Sequence, residues 1–351
     1  MKKTLLVIGD LMMSQVRNEP SLACFLSQKA RLNSRKIGFV LITYDDLLNN
    51  RLPNIIAKRL KVMLFFPYNN WNANIERYDK DKRIYGDMRF GNDHKRIFQK
   101  VSNILERRYK DKEISFVNAP QACALDRDKL LTDRLLRGAG ILTPHLYKIR
   151  SISQLSKLIE EGKAIYIKPR FGAMGKGITY LNRSGCYTNF MFKNGAIISH
   201  AYDYNWKTRQ IPKDKQDAFL SILIKKGFIF QEAVESPIVN NRRFDIRVYV
   251  VGGNVPYLYA KSAPRKSFIT NWSQGGRIEK GKNFLKRALA KGDLDKIKAI
   301  AKRGAKAVNL SFAGVDVIVD KNKKKIHLLE IQSFPGYERG FDLMRYLADT
   351  I

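Results

Sequence analysis

Short apolar runs separated by amphipathic stretches dominate the first third of the chain. TLLVIGD (4–10), IGFVLITYDD (37–46) and VMLFF (62–66) read as buried strands, and the helical patterns EPSLACFLSQKA (19–30) and LPNIIAKRL (52–60) lie between them. That alternation predicts an open α/β lobe over residues 1–118, closing near ISFVNAP (114–120). The stretch 67–92 is polar, aromatic and without a period, so it is expected to be a long surface excursion.

The pattern then changes to one helix followed by hairpins. DRDKLLTDRLLRGAGILTP has an Asp-rich start and leucines at helical spacing, and it stops at Gly138 and Gly140. AIYIK (164–168) and ITYLN (178–182) flank a loop carrying Gly172, Gly175 and Gly177, which predicts a hairpin with a glycine tip. Backbone amides in such a tip can fold over phosphates because no Cβ blocks their approach. Lys168 ends the first strand on the face of Ala164 and Tyr166, where its ammonium could meet the same phosphates. The tip lacks both the GxxxxGK[ST] and the GxGxxG order, and a hairpin without a ligand fits it as well.

Further on, FIF runs into Gln231, Glu232, Ala233 and Val234, either an ordinary strand end or a linker offering backbone groups to a planar base. RRFDIRVYVVGGNVPYLYAKSAP alternates on both sides of a Gly-Gly-Asn turn, so it predicts a hairpin with Asp245 and Arg247 on one face. FAGVDVIVDKNKKKIHLLEIQ predicts two more strands, 315–319 and 326–332. A turn centred on Lys323 sets Asp316 opposite Glu330, two carboxylates in an otherwise apolar hairpin. Something cationic must offset them. Gln332 shares the face of Glu330, and two carboxylates with an amide oxygen make the hard-oxygen set that Mg²⁺ takes. The alternative is a Lys or Arg beside each acid, and a slip of one residue would separate the pair.

Composition narrows the class. The 351 residues, 44% hydrophobic, are enough for two or three lobes with real cores. No apolar run approaches the roughly 18–20 residues of a membrane span, and TLLVIG is too short for a signal-peptide core, so a cytoplasmic protein without a membrane segment is expected. Cys24, Cys123 and Cys186 show no CxxC spacing, which argues against a disulfide framework or zinc site. His94, His145, His200 and His327 are scattered, and Trp71, Trp206 and Trp272 form no stripe. LDKIKAIAKRGAKAV is amphipathic, with Leu294, Ile297, Ala301 and Val308 toward a core, and reads as scaffold. The 65 Lys and Arg against 32 Asp and Glu give a net charge of +33. That field attracts nucleic acid, phosphorylated metabolites or acidic polypeptides alike, and charge is the sole support for a nucleic-acid binder.

Taken in order, Asp128-Lys129, Ile167-Lys168-Pro169, the 172–177 tip, Gln231-Glu232, Asp245-Ile246-Arg247, Asn271 with Gly275-Gly276, Gly314-Val315-Asp316, Glu330-Ile331-Gln332 and Pro335-Gly336 form a succession that resembles ATP-grasp enzymes. It is most similar to RimK-type glutamate ligases and glutathione-synthetase relatives, over about residues 115–345. The resemblance implies an α/β (α+β ATP-grasp) fold: the amino-terminal lobe 1–118, a central subdomain 119–230 with the glycine flap, and a carboxy-terminal subdomain 231–351 with the metal site. ATP would be clasped between the last two. Lys129 and Lys168 would contact its phosphates, and Gly172, Ala173, Met174, Gly175, Lys176 and Gly177 would form the flap. Gln231, Glu232, Ala233 and Val234 would line the adenine hinge, with Asp245 near the ribose and Asp316, Glu330 and Gln332 binding two Mg²⁺ ions. Asn271 would lie near the γ-phosphate. Ile269 stands where the family often has an arginine, so Arg265 or Lys261 would serve beside the acyl phosphate, with Arg247 as a further catalytic cation.

The activity implied is ATP-dependent joining of a carboxylate to an amine through an acyl phosphate, on a small-molecule or peptide substrate of anionic character. Gln332 replaces the usual Asn, and the amino-terminal lobe resembles no particular family. The tail IQSFPGYERGFDLMRYL is also similar to inositol-phosphate kinases of the same fold, which makes phosphorylation of an anionic hydroxyl substrate the alternative.

Overall fold

The computed structural model describes residues 3–10, 25–71, 84–199, 206–270, 275–279, 282–322, 325–336 and 341–351. Four strands, β1 (Lys3–Gly9), β2 (Ile37–Thr43), β3 (Arg59–Leu64) and β4 (Glu113–Phe116), pair in parallel in the order β2-β1-β3-β4. Leu5, Leu6, Val7 and Ile8 are all fully buried, because a parallel sheet is covered on both faces and its strands read as unbroken apolar runs. The open α/β lobe is therefore present.

LPNIIAKRL is irregular chain entering β3, not a helix. Its carbonyls find partners elsewhere: Tyr109 Oη donates to the Pro53 carbonyl at 2.9 Å and Arg108 to that of Leu52 at 3.4 Å, while Leu52, Ile55 and Ala57 pack against Phe98, Val101 and Leu105. The stretch 67–92 is not a surface excursion where it is described. Trp71, Ile84, Tyr85 and Phe90 are buried, and Asp87 caps a long helix, Met88–Arg108, by accepting the Arg89 and Phe90 amides. Trp71, Tyr85 and Phe90 are core, clustered with Phe171, Phe190 and Trp206 of the next subdomain. Of the pattern at 19–30, residues 19–24 lie outside the described residues, and a short helix spans Lys29–Ser34.

The central subdomain is a six-stranded antiparallel sheet. Its strands are β5 (Leu146–Tyr147), β6 (Ile165–Lys168), β7 (Thr179–Asn182), β8 (Gly185–Thr188), β11 (Arg209–Ile211) and β12 (Ile229–Glu232), in the order β11-β8-β7-β6-β12-β5. β9 (Met191–Lys193) and β10 (Ala196–Ile198) form a separate pair. The β6–β7 hairpin carries the glycine tip as expected. β12 stays in this sheet through Glu232, past residue 230.

The carboxy-terminal sheet is antiparallel, ordered β15-β14-β13-β16-β17. It comprises β13 (Arg242–Val251), β14 (Asn254–Pro264), β15 (Arg277–Glu279), β16 (Phe312–Val319) and β17 (Ile326–Gln332). The helix Asp293–Ala307 lies on it with Ile297 and Ala301 buried, so that run is scaffold. The final helix, Leu343–Thr350, buries Leu343, Met344 and Leu347 against Leu5 and Val7 of the amino-terminal sheet and Tyr249 of β13, joining the first lobe to the last.

The register of β16 and β17 decides the site. Gly314, Val315 and Asp316 face Gln332, Ile331 and Glu330, as a turn centred on Lys323 requires, but nearer the turn the pairing is offset by one: Val317 faces Leu328 and Val319 faces Ile326. Leu329 is the extra residue of a β-bulge. Without it, Asp316 would meet Leu329, and Glu330 would fall opposite Val315. The expected pairing is correct at the acids, although the single unbroken register behind it is not.

Candidate active site

The face of the carboxy-terminal sheet that looks into the cleft carries an ordered row of charges. Arg247 lies opposite Asp316 across β13 and β16, and Lys261 lies opposite Asp245 across β14 and β13. Arg247 grips Asp316 in a fork, Nε to Oδ1 at 2.6 Å and Nη2 to Oδ2 at 3.1 Å. Lys261 Nζ sits 2.9 Å from Asp245 and 3.0 Å from Asp316, and Thr270 donates its hydroxyl to Asp245. All four charged groups are buried, so each charge is stable only because the others are there. Burial alone would raise the Asp316 carboxyl, but Arg247 and Lys261 hold it well below the usual carboxylate range. Burial raises Asp245, with Lys261 offsetting only part of the shift.

Glu330 stands at the cleft end of this row with its side chain 31% exposed. Burial pushes its carboxyl up, yet Lys129 Nζ, 3.0 Å from Oε1, brings it below its ordinary value. Lys129 also donates to the Gly172 carbonyl in the glycine tip. Lys168 Nζ donates to Gln231 Oε1 at 2.7 Å, and burial lowers its pKa to about 8 despite the pull of Glu330. Each acid thus has a basic neighbour, the arrangement set out above as the alternative to a metal.

The charge of the cleft bears on whether a divalent ion fits. Among the described residues its walls carry five Lys or Arg (Lys129, Lys168, Lys176, Arg243, Lys261) and six Asp or Glu (Asp126, Asp133, Glu232, Asp245, Asp316, Glu330). In a chain of net charge +33, the described residues of the cleft are thus nearly balanced in charge. A triphosphate, with about four negative charges, cannot be balanced there by side chains alone. Glu330, partly open to the cleft and held by a single flexible lysine, fits a hard divalent ion, and Gln332 lies two residues on along the same strand. Asp316 fits only if it yields a contact with Arg247 or Lys261. Among the described residues no three His, Cys, Asp or Glu converge, so remaining ligands would have to come from the substrate or water.

The other expected residues divide clearly. Lys129, Lys168, Gly172, Ala173, Gly175, Lys176, Gln231, Glu232, Val234, Asp245, Lys261, Asp316 and Glu330 all line one cleft. Met174, Gly177, Ala233, Arg247 and Gln332 adjoin it in the chain or the sheet without lining it. Arg265 does not join them: it is exposed beyond the end of β14. Asn271 lies outside the described residues. In the linker, the Glu232 and Ala233 amides donate to the carbonyls of His145 and Ala164 at 2.8 and 2.9 Å, so neither is open to a ligand.

Several contributors were not legible beforehand. Asp128, which caps the helix Lys129–Gly138 as its Asp-rich start predicts, also forms an unforeseen fork with Arg170 at 2.7 and 2.6 Å, anchoring the root of the glycine tip. Asp126 accepts both the amide and hydroxyl of Ser333, fixing the chain just after Gln332. Arg127 lies over the rings of Phe66 and Trp71. Only the density of charge in DRDK could have hinted at these roles. Of the remaining candidates, His94 is buried among Phe66, Trp71 and Phe98, and Cys123 and Cys186 are buried free thiols, consistent with packing roles. Among the described residues no helix is long and apolar enough to cross a membrane.

Comparison with known proteins gives this geometry a context. Residues 127–345 match the YheC/D-like ATP-grasp family. The chain is 27% identical over 246 residues to a tetrahydromethanopterin:alpha-L-glutamate ligase of Methanosarcina acetivorans, covering 65% of this chain and 66% of that protein. It is 27% identical over 228 residues to a probable alpha-L-glutamate ligase of Mannheimia succiniciproducens, covering 65% and 62%. The chain thus spans a little under two thirds of these relatives. A solved structure of the ATP-grasp ligase PsnB with a minimal precursor, Mg and ADP superposes with a TM-score of 0.54 at 17% identity, covering 98% of this chain and 96% of that one, which establishes the fold. The tail's similarity to inositol-phosphate kinases finds no support among these comparisons. The match runs from Arg127 to Arg345, more than half the chain, and this protein belongs to the YheC/D-like ATP-grasp family.

Proposed function

We propose that this protein is an ATP-dependent carboxylate–amine ligase that uses Mg²⁺ and passes through an acyl phosphate. The observation that carries the reading is the opposition of Asp316 and Glu330 at the mouth of a nearly neutral cleft, beneath a glycine tip and flanked by Lys129 and Lys168. Among the described residues the cleft walls carry no Cys or His, and the Ser236 hydroxyl accepts the Phe244 amide, which supports chemistry by positioning and charge rather than by an enzyme nucleophile.

In this reading the 172–177 tip and Lys129 hold the phosphates, Val234 receives the base, and Lys168 bridges the two ends of the nucleotide. Glu330 with Gln332, and Asp316 after yielding a contact, would hold Mg²⁺, whose chemistry is to neutralise charge on the phosphates. Arg247 positions Asp316, and Lys261 is the cation nearest the transferred group. A substrate carboxylate oxygen attacks the γ-phosphorus as the bond to the ADP oxygen breaks. An amine nitrogen then attacks the acyl carbon, phosphate leaves, and the nitrogen loses its proton to form the amide. Closure of the tip keeps water from the acyl phosphate. The glutamate ligases among the relatives favour an amino acid as the amine, and the basic surface favours an anionic acceptor.

The test is Mg-dependent ADP release screened against amino acids paired with acidic small molecules and acidic peptides, with hydroxylamine added to trap an acyl phosphate. ADP release that needs both an acid and an amine, with a hydroxamate formed when the amine is withheld, is expected. Stable phosphorylation of a hydroxyl compound, or no nucleotide turnover with any pair, would overturn the reading.

A further inference from the structure

We propose that Tyr85 is a positioning residue for the glycine tip, latching it closed over the cleft before nucleotide arrives. This rests on the reading that the tip covers the nucleotide phosphates. The Tyr85 hydroxyl accepts a hydrogen bond from the Ala173 amide at 3.0 Å and donates to the Ala173 carbonyl at 3.3 Å. The residue is only 2% exposed, and its ring packs against Phe90 and Trp206, so the hydroxyl is carried on a fixed support.

The backbone around Tyr85 interlocks with the tip as closely as the hydroxyl does. A Cβ on Gly86, whose φ is +75°, would lie 2.5 Å from Pro169 Cβ and 3.0 Å from the Gly172 nitrogen. A Cβ on Gly172 would meet Pro169 at 2.5 Å and the Tyr85 ring at 3.0 Å. The Phe171 amide donates to the Gly86 carbonyl at 3.2 Å, and the Phe171 ring fills the space where Gly91 lacks a side chain. Glycine at 86 lets its backbone approach that of Gly172, and glycine at 172 and 91 leaves room for the side chains of Pro169, Tyr85 and Phe171.

The physical consequence is preorganisation. A glycine-rich tip loses more conformational freedom on ordering than other sequences do, and that cost would otherwise fall on nucleotide binding. Tyr85 orders the tip from the amino-terminal lobe, while Lys129 holds the Gly172 carbonyl and Asn189 donates to the Gly175 carbonyl at 2.7 Å. Because Tyr85 engages the Ala173 amide, phosphate contact passes to the amides beyond it in the tip.

The experiment is Tyr85→Phe, which keeps the ring and deletes the hydroxyl. Hydrogen exchange of peptides covering 171–177, measured on the full chain without nucleotide, is expected to speed up roughly tenfold, with little change in exchange elsewhere. Calorimetric binding of a non-hydrolysable ATP analogue with Mg²⁺ is expected to weaken several-fold. Gly86→Ala retains the hydroxyl but wedges the segment off Pro169, and it should release the tip in the same way; it decides the matter if Tyr85→Phe fails to fold. Unchanged exchange at 171–177 in the folded variants would overturn the latch. Failure of the unmodified protein to bind the analogue would count against the nucleotide reading, while the exchange measurement would still judge the latch.

Discussion

Lys129 Nζ lies 3.0 Å from Glu330 Oε1 while donating to the Gly172 carbonyl, so one ammonium joins a helix start, the glycine tip and β17. A triphosphate would compete for that ammonium, and releasing it would free the Glu330 carboxylate for a divalent ion. The two events are coupled through a single side chain.

Glu330→Gln removes the partly exposed carboxylate without disturbing the buried row behind it. Mg-dependent ADP release should fall about a hundredfold or more, with the melting temperature nearly unchanged. Full activity in this variant would remove Glu330 from the catalytic set.

Asp316→Asn should behave differently, because Asp316 is the counter-charge for buried Arg247 and Lys261. Loss of stability of about 3–5 kcal/mol in chemical denaturation is expected, the range for leaving a buried charge unpaired. Since the folded-state pKa of Asp316 is depressed, its contribution is present at neutral pH and is lost only as acid takes the pH below the ordinary carboxylate range toward that depressed value. The Asn variant should show a flatter acid limb. Equal stabilities for Asp316→Asn and Glu330→Gln would refute this division of labour.

Lys168, with its pKa near 8, gives a measurable proton linkage. Phosphate binding favours its charged form, so nucleotide binding near pH 8 should take up about half a proton, and affinity should decline as the pH rises toward 9. Calorimetry in buffers of different ionisation enthalpy reads the uptake. Lys168→Met should abolish it, and uptake that persists in that variant assigns the titration to another group.

Gly314 of β16 faces Gln332 of β17, and a Cβ on Gly314 would sit 2.5 Å from Pro335 Cβ and 3.2 Å from Arg247 Nη1. Gly314→Ala should cost about 1–3 kcal/mol by overpacking and weaken Mg-nucleotide binding by shifting the chain that follows Gln332. A variant as stable as the parent would mean that the 333–336 segment moves aside freely.

Much of the fold was legible because it depends on local periodicity. The runs TLLVIGD and IGFVLIT are strands, and AIYIK with ITYLN is a hairpin, since each places its own apolar side chains without reference to distant sequence. LPNIIAKRL was misread because periodicity does not report competition for its carbonyls. Tyr109 and Arg108 take them from the end of a helix 56 residues further along the chain. The aromatic stretch around Trp71 and Tyr85 read as surface because its partners, Phe171, Phe190 and Trp206, lie a hundred residues away.

The site divides along the same line. The order of the motifs, through the family they resemble, led to the expectation that two acids, a glycine tip and two lysines face one cleft, and strand alternation alone assigned the acids to one face of their hairpin. Tertiary structure decided which charges touch. The bulge at Leu329 turns Glu330 toward Asp316, Arg247 and Lys261 claim Asp316 first, and Tyr85 reaches the tip from another lobe. A strand pattern constrains direction, whereas contact between remote segments is set by how the sheets and lobes pack, and a one-dimensional sequence does not encode that distance locally.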